Sequence, residues 1–315
     1  MRCARIPIQM VRRLLTTTAL LVLVGCTNSK TICESDGQFS AAKSQFAPFG
    51  TNKVHYLTAG KGQTVIVFVH GWSCNASFWR AQVGAFADKA RVILIDLPGH
   101  GQSDKPHIYY TMDFFASSVL AVLAHEHIRS AIFVGHSMGV AVVCRVHAQA
   151  PDKVAALVAV DGFLRTTKRP REESEKFIAP YRGDNYQEQV KRSVSAMFPI
   201  AGMEALQEQV LTEMLATPHY VILSTVESPS DPDQPVWDLE NMKVPLLVIN
   251  NRAWSPFYPP EYEAYARSLS ARTDYRTVEG VGHFMMLEKP GMFNATLTDM
   301  LREFSLLPRW LNGSN

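Results

Sequence analysis

Six short runs, residues 64–69, 91–95, 131–134, 154–160, 246–249 and 275–278, are strand-length, rich in β-branched residues and nearly apolar throughout. A strand with one face in water alternates polar and apolar residues, so a run without that alternation predicts a strand covered on both faces. Helical stretches such as residues 76–89 and 114–127 separate the runs and can supply the cover. The pattern predicts an α/β fold, a doubly wound and mostly parallel sheet with helices on both sides. Residues 53–57 predict an earlier strand, closed by the turn chemistry of Thr58-Ala59-Gly60-Lys61-Gly62.

The alternation stops between Asp161 and Val244, where a charged stretch with methionines and aromatics takes over. That change predicts a helical cap over about residues 163–240, inserted after strand six. Its opening, residues 168–176, reads as a solvated charged face, and Pro218, Pro229, Pro232 and Pro235 punctuate its end. No fixed-period repeat is visible, which excludes a solenoid or propeller reading.

The start of the chain reads as an export signal. Arg2, Arg5, Arg12 and Arg13 form a cationic region ahead of the apolar run 14–24, which is shorter than the roughly 20 residues of a bilayer span. Leu23-Val24-Gly25-Cys26 resembles a bacterial lipobox, which implies a lipoprotein signal peptide over residues 1–25, cleavage before Cys26 and a diacylglyceryl group on its sulfur. The expected location is then the bacterial cell envelope, with the protein lipid-anchored to a membrane on the extracytoplasmic side. Residues 26–48 are small and polar and predict a tether, leaving 49–315 as the folded domain. Cys33, Cys74 and Cys144 remain, an odd number that describes no disulfide framework, and Cys144 reads as a small buried hydrophobe. With a net charge of +2 and basic residues gathered only near the start and around 168–171, nucleic acid is not an expected partner.

Gly135-His136-Ser137-Met138-Gly139 follows the run 131–134 and precedes a helical stretch, the G-x-S-x-G arrangement of a nucleophile elbow. A serine on a sharp strand-to-helix turn is held in a strained conformation that exposes its hydroxyl, and the glycines let neighbouring elements approach. Ser137 is therefore the expected nucleophile. A hydroxyl needs a positioned base near neutral pH, and a histidine with an unperturbed pKa of about 6.5 suits that role. Of the chain's 10 histidines, His283 in Gly280-Val281-Gly282-His283-Phe284 follows the last strand run and falls on a loop at the same sheet edge as Ser137. His136, fixed beside the serine, is expected to point elsewhere. Acyl transfer places negative charge on a carbonyl oxygen, and backbone N–H groups aimed at it stabilise it. The expected oxyanion donors are the amide of Met138 and that of Trp72, in the His70-Gly71-Trp72 loop after the first core strand.

His70-Gly71-Trp72, Asp96-Leu97-Pro98-Gly99-His100-Gly101, the elbow and Gly280-Val281-Gly282-His283 occur in the order seen in the α/β-hydrolase fold superfamily, and the resemblance covers about residues 50–307. It implies that Asp96 and His100 belong to a structural turn rather than to catalysis. The chain departs from the superfamily at the third triad member. Members that it resembles most carry an aspartate just after the strand equivalent to 246–249, yet Asn250-Asn251-Arg252-Ala253-Trp254-Ser255 holds no carboxylate. Other members use an acid after the preceding strand, which corresponds to Asp161. Asp161 is the expected acid, with Glu261 and Glu263 as alternatives.

The function these readings predict is a serine hydrolase that cleaves a carboxylic ester, of medium acyl or small hydrophobic kind, through an acyl-enzyme, with no cofactor and no metal. Two alternatives stand beside it: thioester or C–C bond hydrolysis by the same residues, and a catalytically silent envelope binding protein on a hydrolase fold, suggested by the missing strand-seven acid.

Overall fold

The computed structural model describes residues 39–165, 170–228, 239, 242–253, 258 and 260–307. The signal peptide, Cys26, Cys33, Lys168, Pro229, Pro232, Pro235 and residues 308–315 lie outside the described residues. Eight strands form one sheet: β1 (Lys43–Phe49), β2 (Asn52–Ala59), β3 (Val65–Val69), β4 (Arg91–Ile95), β5 (Ala131–His136), β6 (Val154–Val160), β7 (Leu246–Asn251) and β8 (Thr273–Val278). Their order is β1-β2-β4-β3-β5-β6-β7-β8. The β1–β2 and β2–β4 pairs are antiparallel, and every other pair is parallel.

The continuous apolar runs are explained by where alternate side chains go. Val67, Val69, Ile93, Ile95 and Phe133 enter one core layer, against α2 (Met112–His125), α3 (Met138–Gln149) and α8 (Tyr262–Leu269). Ile66, Phe68, Val92, Leu94 and Ile132 enter the other, against α1 (Arg80–Phe86) and α10 (Pro290–Glu303). Both faces are apolar because both are covered. All five side chains of β3 are buried, and each large one contributes about 1.5–3 kcal/mol by leaving water. Local chemistry sets the helix starts: the Thr111 hydroxyl accepts the Phe114 N–H at 3.1 Å and begins α2 two residues earlier than the apolar pattern alone indicates.

Two sequence expectations are corrected at the edges of the sheet. The tether does not run to residue 48, because residues 43–49 form β1 and pair with β2 from Lys43↔Thr58 to Phe49↔Asn52. Ala47 is fully buried, Phe49 packs on Phe114 at 5.1 Å, and Gly50 at φ +59 turns the hairpin. The remaining β1 side chains are wholly or partly exposed, so the strand carries too little apolar character to stand out. At the other edge, β8 begins at Thr273 rather than at residue 275, and none of its side chains is fully buried.

Between β6 and β7, α4 (Arg171–Arg182), α5 (Tyr186–Met197), α6 (Glu204–Leu215) and α7 (His219–Glu227) form the expected helical cap. Ile178, Tyr181, Val190, Val194, Val210 and Met214 join the same apolar cluster as Phe78, Trp79 and Phe284 of the sheet domain. Hydrogen bonds fasten the cap to the loops it covers: Trp72 Nε1 donates to the Ile222 carbonyl at 3.3 Å and the Thr217 hydroxyl to the Ser73 carbonyl at 3.2 Å. After the cap and β8, the short helix α9 (Met285–Glu288) leads into α10.

Candidate active site

β3, β5, β6, β7 and β8 are parallel, so the residues that follow them meet at one sheet edge. Ser137 follows β5 as the N-cap of α3, with φ 53 and ψ −119. A non-glycine residue there is strained by about 1–3 kcal/mol, and backbone bonds hold it: Ser137 N–H donates to the Val160 carbonyl and its own carbonyl accepts Val140 N–H, both at 3.0 Å. The two elbow glycines are demanded by contact. A Cβ on Gly135 would lie 2.4 Å from the Gly139 carbonyl oxygen, and one on Gly139 2.4 Å from that of Val69.

One expected oxyanion donor, Met138, directly follows the serine, and the other, Trp72, follows Gly71 in the loop beside the elbow. Met138 is the first residue of α3, so its N–H has no acceptor within the helix and lies at the positive end of the helix dipole. The loop carrying Trp72 presses on the elbow: a Cβ on Gly71 would lie 3.1 Å from Ser137 Cβ.

His283 is 2% exposed and its Nδ1 lies 2.5 Å from Asp161 Oδ2. Asp161 is 1% exposed, sits at φ 46, and is anchored by its N–H to the Ile249 carbonyl at 2.9 Å. Besides His283, its carboxylate accepts the Asn251 side-chain amide at 2.8 Å, the Asn251 N–H at 3.4 Å and the Tyr258 hydroxyl at 3.1 Å. A buried carboxylate needs such donors in place of water. Burial, and next the charge of Asp161, push the Tyr258 phenol well above its ordinary pKa, so it stays a donor. The alternative acids are elsewhere: exposed Glu261 is 3.9 Å from Arg165, and Glu263 bonds Arg267 at 2.8 Å.

His136 turns to the underside of the histidine loop rather than joining the serine. Its Nε2–H donates to the His283 carbonyl at 2.9 Å, with the rings 4.5 Å apart. Burial, then the charge a protonated His283 would carry, hold His136 well below the usual histidine pKa, so it is neutral. Glu288 bonds the amides of Gly282 and Phe284, on either side of His283, at 2.6 and 3.0 Å. Burial raises its carboxyl above the usual range, an effect those two bonds and His283 oppose. None of Asn251, Tyr258, His136 and Glu288 was expected as a partner from sequence; Asn251 alone left a signal, as a polar residue closing an apolar strand.

Asp96 and His100 are structural, as expected. Burial works to raise the Asp96 carboxyl, but bonds from His55 Nδ1, Gln102 N–H and Ala76 N–H, at 2.7 to 2.8 Å, hold it below its ordinary range. A Cβ on Gly101, at φ +48, would fall 2.2 Å from that carboxylate. His70 accepts the Leu97 N–H on Nε2 at 3.0 Å and donates from Nδ1 to the Gly71 carbonyl at 2.8 Å, tying the turn to the Trp72 loop.

Tyr181 of the cap meets Trp72 edge-on at 5.5 Å and Phe177 at 5.9 Å, while Phe163, just past Asp161, lies 5.2 Å from Tyr258. Phe163 and Phe177 are exposed.

A family model described as "Alpha/beta hydrolase family" matches residues 66–296. The dihydrolipoyllysine-residue acetyltransferase component of the acetoin cleaving system of Cupriavidus necator is 27% identical over 272 residues, 82% of this chain and 69% of that protein. A non-heme chloroperoxidase of Streptomyces lividans is 26% identical over 266 residues, 79% of this chain and 95% of its own length. Among solved structures, an esterase from Exiguobacterium antarcticum superposes with a TM-score of 0.73 at 19% identity, covering 82% of this chain and all of the esterase.

Proposed function

This chain belongs to the alpha/beta hydrolase family, and from that membership we propose that it is a serine hydrolase cleaving a carboxylic ester through an acyl-enzyme. The observation that carries the reading is the Asp161–His283 hydrogen bond at the sheet edge that also carries the strained Ser137. The Asp161 carboxylate keeps a proton on His283 Nδ1, which makes Nε2 the basic nitrogen. Ser137 Oγ attacks the ester carbonyl carbon while Nε2 takes its proton. The tetrahedral oxyanion is received by the backbone N–H groups of Met138 and Trp72. Its collapse expels the alcohol, protonated by His283, and water then repeats the sequence to release the acid. Asp161 supplies a carboxylate where the end of β7 has none, which favours the enzyme reading over a silent binding protein. The exposed Phe163 ring, two residues past Asp161 and 5.2 Å from Tyr258, favours an apolar ester.

A fluorophosphonate tests the reading directly: labelling of wild type that disappears in Ser137→Ala supports it, and an unlabelled wild type sinks it. A panel of p-nitrophenyl esters, thioesters and diketones then assigns the bond cleaved, the ester reading requiring the esters to be the best substrates.

We further propose, from Leu23-Val24-Gly25-Cys26, that the mature protein is anchored by acylated Cys26 on the extracytoplasmic side of a bacterial envelope membrane. Among the described residues no helix is long and apolar enough to cross a bilayer.

A further inference from the structure

The turn that presents His283 is fixed through its backbone at four points. The His283 N–H donates to the Met197 carbonyl of the cap at 3.0 Å, and the His283 carbonyl accepts His136 Nε2–H at 2.9 Å. The other two points converge on one side chain: Gly282 N–H donates to Glu288 Oε2 at 2.6 Å and Phe284 N–H to Glu288 Oε1 at 3.0 Å. The packing leaves the turn little room, since a Cβ on Gly282 would lie 2.7 Å from the Met197 carbonyl oxygen and 2.8 Å from Pro199 Cδ.

The Glu288 carboxylate restrains the 283–284 peptide plane, which directly follows the His283 Cα, and the 281–282 plane one residue upstream, while the Met197 carbonyl holds the 282–283 plane between them. Those planes set the direction in which the side chain leaves the backbone. Here that side chain is the imidazole whose Nδ1 must meet Asp161 at 2.5 Å. We propose that Glu288 is a positioning residue for His283, its bridging carboxylate holding the turn in the one orientation that joins the imidazole to Asp161. Glu288 takes no part in proton transfer; it acts through the 281–282 and 283–284 peptide groups of the turn. Its effect on turnover rests on the serine-hydrolase reading, whereas its effect on the His283–Asp161 hydrogen bond does not.

The test compares Glu288→Gln, which keeps the shape and one acceptor oxygen, with Glu288→Ala, which keeps neither. A displacement of the order of 1 Å costs about 100-fold in rate, so kcat per fluorophosphonate-titrated site is expected to fall about 100-fold in Glu288→Ala and about 10-fold in Glu288→Gln, with KM within about twofold of wild type. Proton NMR supplies the second reading. The short Nδ1–H···Oδ2 bond should give a far-downfield resonance in wild type that is assigned by its loss in Asp161→Asn, and that resonance should move upfield or broaden in Glu288→Ala. The proposal is overturned by a folded Glu288→Ala protein with kcat per titrated site within about twofold of wild type, and equally by a loss of kcat with the resonance unmoved. Should Glu288→Ala not fold, the same two measurements on Glu288→Gln decide. A wild type that neither labels nor turns over refutes the serine-hydrolase reading, and the resonance alone then settles whether Glu288 holds the pair together.

Discussion

The Asn251 side-chain amide donates to Asp161 Oδ2 at 2.8 Å, the same oxygen that receives His283 Nδ1 at 2.5 Å. The juxtaposition follows from register: β6 and β7 run parallel with Val160 opposite Ile249, so the residues that end them are neighbours. The carboxylate stands at the end of β6, and the amide at the end of β7 holds it there. Asp161→Asn should leave the fold intact but remove the acceptor that fixes the His283 tautomer. The same exchange in the serine-protease template costs about 10⁴-fold, and a fall in kcat of at least roughly 100-fold is expected here. Asn251→Ala removes one donor but leaves Tyr258 and the Asn251 N–H, so a loss of about 10-fold is expected. Glu261→Gln and Glu263→Gln should stay near wild type. Steady-state kinetics on the best ester decides, and a glutamate variant losing more than Asp161→Asn would reassign the acid.

Ser137 and His283 should behave as one unit. On the proposed mechanism Ser137→Ala removes the attacking atom and His283→Ala the base that activates it, so each alone should lower kcat by several orders of magnitude. Once either is gone the other has nothing to act on, and the double variant should be little worse than either single one. Losses that multiply in the double variant would mean that the two residues serve separate steps.

What was legible in the sequence followed from burial and close contact. β3 to β7 could be read because both their faces are covered, which leaves continuous apolar runs. The elbow could be read because Gly135 and Gly139 sit where any Cβ would strike a backbone oxygen or its peptide group. β1 was missed because an edge strand with one face in water needs few apolar residues, and its own are Phe46, Ala47, Phe49 and a proline. The partners that hold the site were missed for another reason. Asn251 and Tyr258 lie 90 and 97 positions from Asp161, and His136 lies 147 from His283. Strand register and loop packing bring such pairs together, and no local pattern encodes them.

Cys26→Ser tests the proposed anchor. A thioether to diacylglycerol forms only on a cysteine sulfur, so the variant should move from the membrane fraction to the soluble fraction and lose metabolic labelling by a fatty acid. A single acyl chain binds membranes marginally and stable anchoring takes more, so the partition should be nearly complete once the modified cysteine is gone. The soluble variant should retain ester hydrolysis, because residue 26 precedes the sheet domain. Unchanged membrane retention would sink the lipoprotein reading.

Stability should fall on mild acidification, and the cause is three buried histidines. Burial lowers the pKa of His70, His100 and His136, that of His100 to about 3. Each is committed to a neutral tautomer: His70 Nε2 accepts the Leu97 N–H, His100 Nδ1–H donates to the Pro98 carbonyl, and His136 Nε2–H donates to the His283 carbonyl. Their folded-state pKa values lie below the unfolded value of about 6.5, so below that pH the unfolded chain binds protons that the folded chain refuses. Stability is therefore fully present above about pH 6.5 and declines as pH falls, each histidine contributing a slope approaching about 1.4 kcal/mol per pH unit. Asp96, whose carboxyl is held below its ordinary range, adds its own loss only nearer the unfolded carboxylate value of about 3.9, which leaves the histidines dominant between about pH 6.5 and 5. Urea unfolding at a series of pH values measures the slope, and His100→Gln, which keeps a donor without the titrating ring, should reduce it by about one proton. A free energy of unfolding that is flat from pH 7 to about 5 would show that these rings admit protons without cost to the fold.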